Sequence, residues 1–263
     1  MFLCHQDAPG VDFLPRDTFL AADRTYWSRR HGYFQQWLKG QDQKEGPRGD
    51  AEFFAVCARA ATAIEGATLD VGGGDSYLKH WLPKDVHYVC LDPEEYPLRR
   101  SRWGSALESS PEIPPPLLLR GAGEYLPFRE EAFRTVFCLA TLNHASNPQR
   151  VLQEIDRVLQ PGGDLVLTLE DVPSLLPFCY LAGRQVLKMS LASAFFKWWP
   201  GRSSRVPPGV QTDHVPIPPS QVGKWLGDCF QLRKTFFVAS RGVVEMGQRW
   251  QKVKPLPEGQ QVS

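Results

Sequence analysis

Charge of one sign is nearly absent as an excess. Thirty Lys and Arg offset 29 Asp and Glu, for a net charge of +1, so no global field recruits nucleic acid. Paired cysteines are missing too. Cys4, Cys57, Cys90, Cys138, Cys179 and Cys229 form no C-x-x-C, and no His cluster accompanies them. That pattern argues against a zinc site, against any metal ligand set and against a disulfide framework. Cys90 and Cys138 fall inside apolar strand patterns, where a reduced thiol acts as a small apolar side chain. Long apolar runs are missing, since no stretch of about 18 uninterrupted apolar residues occurs and no membrane-spanning helix is expected. The first residues, MFLCHQDAPGVDFL, lack a basic start and an apolar core, so no secretory leader is expected and the default address is the cytoplasm.

What is present is organised around Ala67 to Leu82, ATLDVGGGDSYLKHWL. Leu69 and Val71 flank Asp70 in a β-prone run. Gly72, Gly73 and Gly74 follow, and then Tyr77, Leu78, Trp81 and Leu82 fall on one side of a helical pattern. The stretch is a strand, a tight glycine turn and a helix. Such a turn admits a ligand close to the backbone and points a helix N-terminus at it. A dinucleotide fingerprint needs a sixth-position glycine, and that place is Tyr77. The other pattern is acid-x-G-x-G-x-G. Asp70, Gly72 and Gly74 fit it, and Ser76 stands at the last glycine.

The rest of the chain supplies more segments in order. VHYVCLDPEEY ends a second strand at Asp92, 22 residues after Asp70, placed to accept from a ribose diol. Leu117 to Leu119 leads into RGAGEYLPFREEAFRTVFCLATLNHASNP. RVLQEIDRVLQPGGDLVLTLE then gives a helix, a Pro161-Gly162-Gly163 turn and strand five. Asn147-Pro148 is a cap and first-turn pair. Val151, Leu152, Ile155, Val158 and Leu159 form its sheet-packing face.

From Leu69 to about Glu170 these segments resemble class I S-adenosylmethionine-dependent methyltransferases, of the type 11-like domain. The resemblance implies a doubly wound α/β fold with a seven-stranded, mostly parallel Rossmann-like sheet. Its order is 3-2-1-4-5-7-6 with strand seven reversed, and its crossovers are right-handed. It implies S-adenosyl-L-methionine as cofactor. Asp70 would meet the methionine amino group, Gly72, Gly73 and Gly74 would make room for it, and Asp92 beside Pro93 would hold the ribose. Ala122, Gly123, Glu124, Leu139 and Thr141 would complete the cofactor site. His144, at the carboxyl edge of strand four, would orient or deprotonate an acceptor hydroxyl, or only hydrogen-bond its loop. His214, in the Asp213-His214 pair, is the second candidate on the acceptor side.

Three positions depart from the family pattern. Ser76 replaces a glycine, and Ala122 replaces the acid that meets the adenine amine, a role left to Glu124 or a backbone carbonyl. Arg134 replaces the acid that opens strand four. A methyltransferase-like binding protein without turnover is therefore the alternative to an enzyme.

One domain over 1–263 is expected. Residues 1–64 would be N-terminal helices, including an aromatic YWSRRHGYFQQWL run and a helix from Asp50 to Ile64. Residues 65–170 would be the cofactor core, 171–212 a helical and proline-rich insertion, and 213–250 the last helix and strand pair. Strand four is expected over Thr135–Ala140, strand five over Leu165–Leu169, and the final pair over Leu232–Val238 and Gly242–Met246. Within 172–205, Leu187, Leu191, Phe195 and Trp198 make a stripe among five cations. Two readings stand: a cap touching a lipid-like acceptor or an anionic bilayer surface, or a helix packed on the core. A small-molecule or lipid-like acceptor and no nucleic acid are the expected partners.

Overall fold

The computed structural model describes residues 48–74, 76–93, 116–170, 217–240 and 243–253. Helix α1 (Arg48–Ala58) precedes β1 (Ala67–Val71), and β2 (His87–Asp92), β3 (Leu117–Arg120) and β4 (Phe133–Cys138) follow. Helix α2 (Pro148–Val158), β5 (Leu159–Leu169), helix α3 (Pro219–Leu226), β6 (Phe230–Ser240) and β7 (Val243–Lys252) complete them. The strands form a single sheet in the order β3-β2-β1-β4-β5-β7-β6. The pairs from β3 through β5 are parallel, while β7 runs antiparallel to β5 and to β6. This is the expected order with strand seven reversed.

Alternation along each strand sends side chains to two faces. Leu69, Val71, Val89, Leu91, Val136, Cys138, Leu165 and Leu167 share one apolar layer with Val151, Leu152 and Ile155 of α2 and Val222 of α3. The intervening residues Tyr88, Cys90, Phe137 and Val166 share the other layer with Phe53 and Cys57 of α1. Each fully buried Leu or Ile contributes about 1.5–3 kcal/mol relative to an exposed one. Asn147 caps α2 as its sequence suggested, its Oδ1 accepting from the Arg150 N–H at 3.0 Å.

Strand four runs over Phe133–Cys138 rather than Thr135–Ala140, and β6 over Phe230–Ser240 rather than Leu232–Val238. Four further expectations change. The pattern after the glycine turn makes only a five-residue 3₁₀ turn, Tyr77–Trp81. Ser76 enters it at φ 63°, Pro83 stands two residues after its end, and Trp81 faces solvent, so neither an α-helix nor a continuous apolar side forms. Helix α1 stops at Ala58 rather than Ile64. Strand five begins at Leu159, and Pro161-Gly162-Gly163 is an irregularity inside it, where pairing with β4 jumps from Phe133↔Leu159 to Thr135↔Asp164. The last strand, expected to end at Met246, continues as β7 through Lys252. The Lys252 ammonium donates to the Asp156 carbonyl at 2.6 Å and the Leu159 carbonyl at 3.0 Å, which ties the strand end to α2.

Residues 1–47, the proline-bearing 108–115, the whole of 172–205 and His214 lie outside the described residues. Among the described residues no helix is long and apolar enough to cross a membrane.

Candidate active site

The ends of β1, β2, β3, β4 and β5 bring the candidate residues to one edge of the sheet. Asp70 lies on β1 at 2% exposure, and its carboxylate accepts from the Tyr88 hydroxyl at 2.5 Å. Gly72 turns away at φ 71°, and a Cβ there would strike the Thr141 side chain. The site therefore needs glycine both for its left-handed backbone and for the close approach of the β4 loop. A Cβ on Gly73 would lie 2.5 Å from the Asp70 carboxylate. Gly74, at φ 57°, donates its N–H to the Asp92 carboxylate at 3.0 Å, so the turn and the second acid hold each other.

Beyond β3 the chain crosses the end of β1. A Cβ on Gly123 would sit 2.9 Å from Val71. Ala122 accepts from the Tyr125 N–H at 3.1 Å, and the Pro93 carbonyl accepts from Arg120 Nε at 3.1 Å. Glu124 is 2% exposed. One of its oxygens accepts from Ser146 Oγ at 2.7 Å and from the Asn147 N–H at 3.1 Å. The other, Oε2, is buried with no hydrogen-bond partner among the described residues. The following turn is held by Glu154, which sequence reasoning missed. It accepts from the Leu126 N–H at 3.0 Å and from Arg157 Nη2 at 2.7 Å. Arg157 in turn donates to the Phe128 carbonyl at 2.6 Å. The Glu-x-x-Arg spacing on one helix turn was the available signal. Arg134, at the strand-four departure, is half-buried and 4.0 Å from Glu65.

On the β4 side, Leu139 is buried and Thr141 Oγ1 donates to the Leu139 carbonyl at 2.8 Å. Ala140, at φ 50°, gives its N–H to Thr168 Oγ1 at 2.8 Å. His144 Nε2 stands 3.4 Å from Glu170 Oε2, both side chains partly exposed. Asn143, fully buried, fixes that pair. It accepts the Glu170 N–H at 3.1 Å and donates to the Glu170 carbonyl at 3.4 Å. Asn143 and Glu170 are further residues the sequence did not single out for the site. Two shallow grooves lie elsewhere, one along Ala58, Arg59, Trp81 and Pro83 and one along Pro161, Gly162 and Gln251. The carboxyl-edge residues line neither.

Residues 69–167 match the family model described as Methyltransferase domain. Over that stretch the chain resembles the class I S-adenosylmethionine-dependent methyltransferases, whose strand order it shares. The chain is 30% identical over 161 residues to the ubiquinone biosynthesis O-methyltransferase of Hahella chejuensis, covering 60% of this chain and 59% of that protein. It is 32% identical over 80 residues to the tRNA U34 carboxymethyltransferase of Nautilia profundicola, covering 28% of this chain and 27% of that protein. The chain spans between 15% and 59% of the length of these and other curated relatives. Among solved structures, the fold is shared with a Burkholderia thailandensis 1,6-didemethyltoxoflavin-N1-methyltransferase with bound 1,6-didemethyltoxoflavin and S-adenosylhomocysteine. That likeness has a TM-score of 0.56 and 14% identity, over 89% of this chain and 92% of that one.

The methyltransferase domain also corrects an expectation. Relatives named tRNA U34 carboxymethyltransferase recur over 80, 142 and 148 residues, so excluding nucleic acid as a partner is overturned. A balanced net charge removes a global field but leaves local surfaces able to bind a polyanion.

Proposed function

We propose that the chain transfers a methyl group from S-adenosylmethionine to an oxygen nucleophile. The observation that carries this is the pair of buried acids, Asp70 and Asp92, at the ends of adjacent strands. The Gly72–Gly74 turn lies between them, and Gly74 is bonded to Asp92. The cofactor supplies a methyl group already activated on a sulfonium. Asp92 then accepts from the ribose diol and Asp70 from the methionine ammonium. The orphaned Glu124 Oε2 is an acceptor in want of a donor, which suits the adenine amine in place of the acid that Ala122 replaces. Pro93, Gly123, Leu139 and Thr141 shape the walls of the same site.

For the acceptor, His144 takes the hydroxyl proton while Glu170, 3.4 Å away, orients the imidazole. An oxygen acceptor is supported by that pair and by the O-methyltransferase relative, the match spanning 60% of the chain. Alignment and exclusion of water supply most of the rate, because the leaving group is already good.

Calorimetry with S-adenosylhomocysteine should give binding in the micromolar range, and Asp92→Ala should weaken it by about 1–3 kcal/mol. Wild-type protein that binds NAD and ignores the homocysteine compound sinks the reading. In the same series, tritiated methyl transfer is scored on simple phenols and on bulk tRNA. His144→Ala should keep cofactor affinity and slow transfer, and an unchanged rate removes His144 from the chemistry.

A further inference from the structure

Tyr88 lies on β2 opposite Thr68, on the sheet face that Asp70 and Cys90 also point to. Its ring belongs to the apolar layer of Cys57, Leu78, Phe137 and Val166, where phenylalanine would pack as well. The hydroxyl adds to that layer a 2.5 Å bond to Asp70 Oδ2. Both residues are more than nine-tenths buried. We propose that Tyr88 is a positioning residue of the cofactor site, holding the Asp70 carboxylate aimed for the ammonium of the methionine moiety.

Three physical arguments support it. A buried carboxylate is costly without donors, and the phenol is a strong one. Burial first, and then the Asp70 charge, push the Tyr88 phenol well above its ordinary value, so it stays protonated and donates. Gly73 lies against the same carboxylate, its missing Cβ leaving Asp70 Oδ2 the space it occupies. The same oxygen thus meets both the phenol and the turn before any ligand arrives. Such preorganisation spares the ligand the cost of ordering its own partner.

The inference rests on the S-adenosylmethionine reading, and its test separates the two. Calorimetry is run on wild type and Tyr88→Phe with S-adenosylhomocysteine and with 5′-methylthioadenosine, which keeps the nucleoside and lacks the amino acid. Tyr88→Phe should weaken the homocysteine compound about tenfold and shift methylthioadenosine by less than about twofold. Equal losses for both ligands would reduce Tyr88 to a structural part of the sheet, and no loss for either would dismiss it. A wild type that binds neither ligand overturns the cofactor reading and this inference together. Should Tyr88→Phe not fold, 3-fluorotyrosine incorporated in the otherwise native chain reports the same bond. Its Tyr88 fluorine resonance should move with S-adenosylhomocysteine and stay put with methylthioadenosine, and a resonance that ignores the former overturns the proposal.

Discussion

Gly72–Gly74 and Gly162–Gly163 look alike in the sequence, as glycine runs beside an apolar strand, yet they sit at opposite ends of the sheet. The first lies past the carboxyl end of β1. There Gly72 clears Thr141 and Gly73 clears the Asp70 carboxylate, so the missing side chains make room for functional groups. The second lies near the start of β5. A Cβ on Gly163 would sit 2.8 Å from the Arg134 and Gln160 carbonyls, so there the missing side chain makes room for backbone. One run shapes the turn proposed to meet the cofactor and the other an irregular stretch of strand. Composition does not separate them; what each glycine faces does.

Substitutions sharpen that contrast. Gly72→Ala should have the largest effect. It combines a left-handed φ with a collision at Thr141, for about 2–4 kcal/mol of stability, and S-adenosylhomocysteine binding should be lost as well. Adding Thr141→Gly should restore part of both, because it removes the struck atoms. Gly163→Ala meets backbone that cannot yield cheaply and should cost about 1–3 kcal/mol in chemical denaturation. The folded fraction should nevertheless bind the cofactor as wild type does. A matching loss of affinity would mean that the two glycine runs are not distinct in role. Ser76→Gly should have the smallest effect. Ser76 holds φ 63°, a conformation glycine adopts without a Cβ penalty, so the exchange should stabilise the protein by less than about 1 kcal/mol. Destabilisation by that change would show that the serine side chain earns its place in the turn.

Much of the fold was legible in the chain itself. Apolar β-prone runs mark the strands that form over Ala67–Val71 and His87–Asp92, strand four forms two residues earlier than the expected Thr135–Ala140, and the Asn147-Pro148 pair starts α2 where it stands. The placement of Asp70, Asp92 and His144 at the carboxyl edge of the sheet was also legible, because strand ends and turn glycines leave local marks. Local pattern was misleading where two residues overrode it. Ser76 in the left-handed region and Pro83 reduced a helical pattern to a single 3₁₀ turn.

Pairings across long sequence separations were decided only in three dimensions. Tyr88 on Asp70, Asn143 on Glu170 and Glu154 on the Leu126 turn join residues 18, 27 and 28 positions apart. Periodicity fixes which face a side chain takes. Which partner it meets there depends on strand order and register, and those are set when two apolar layers close on one sheet.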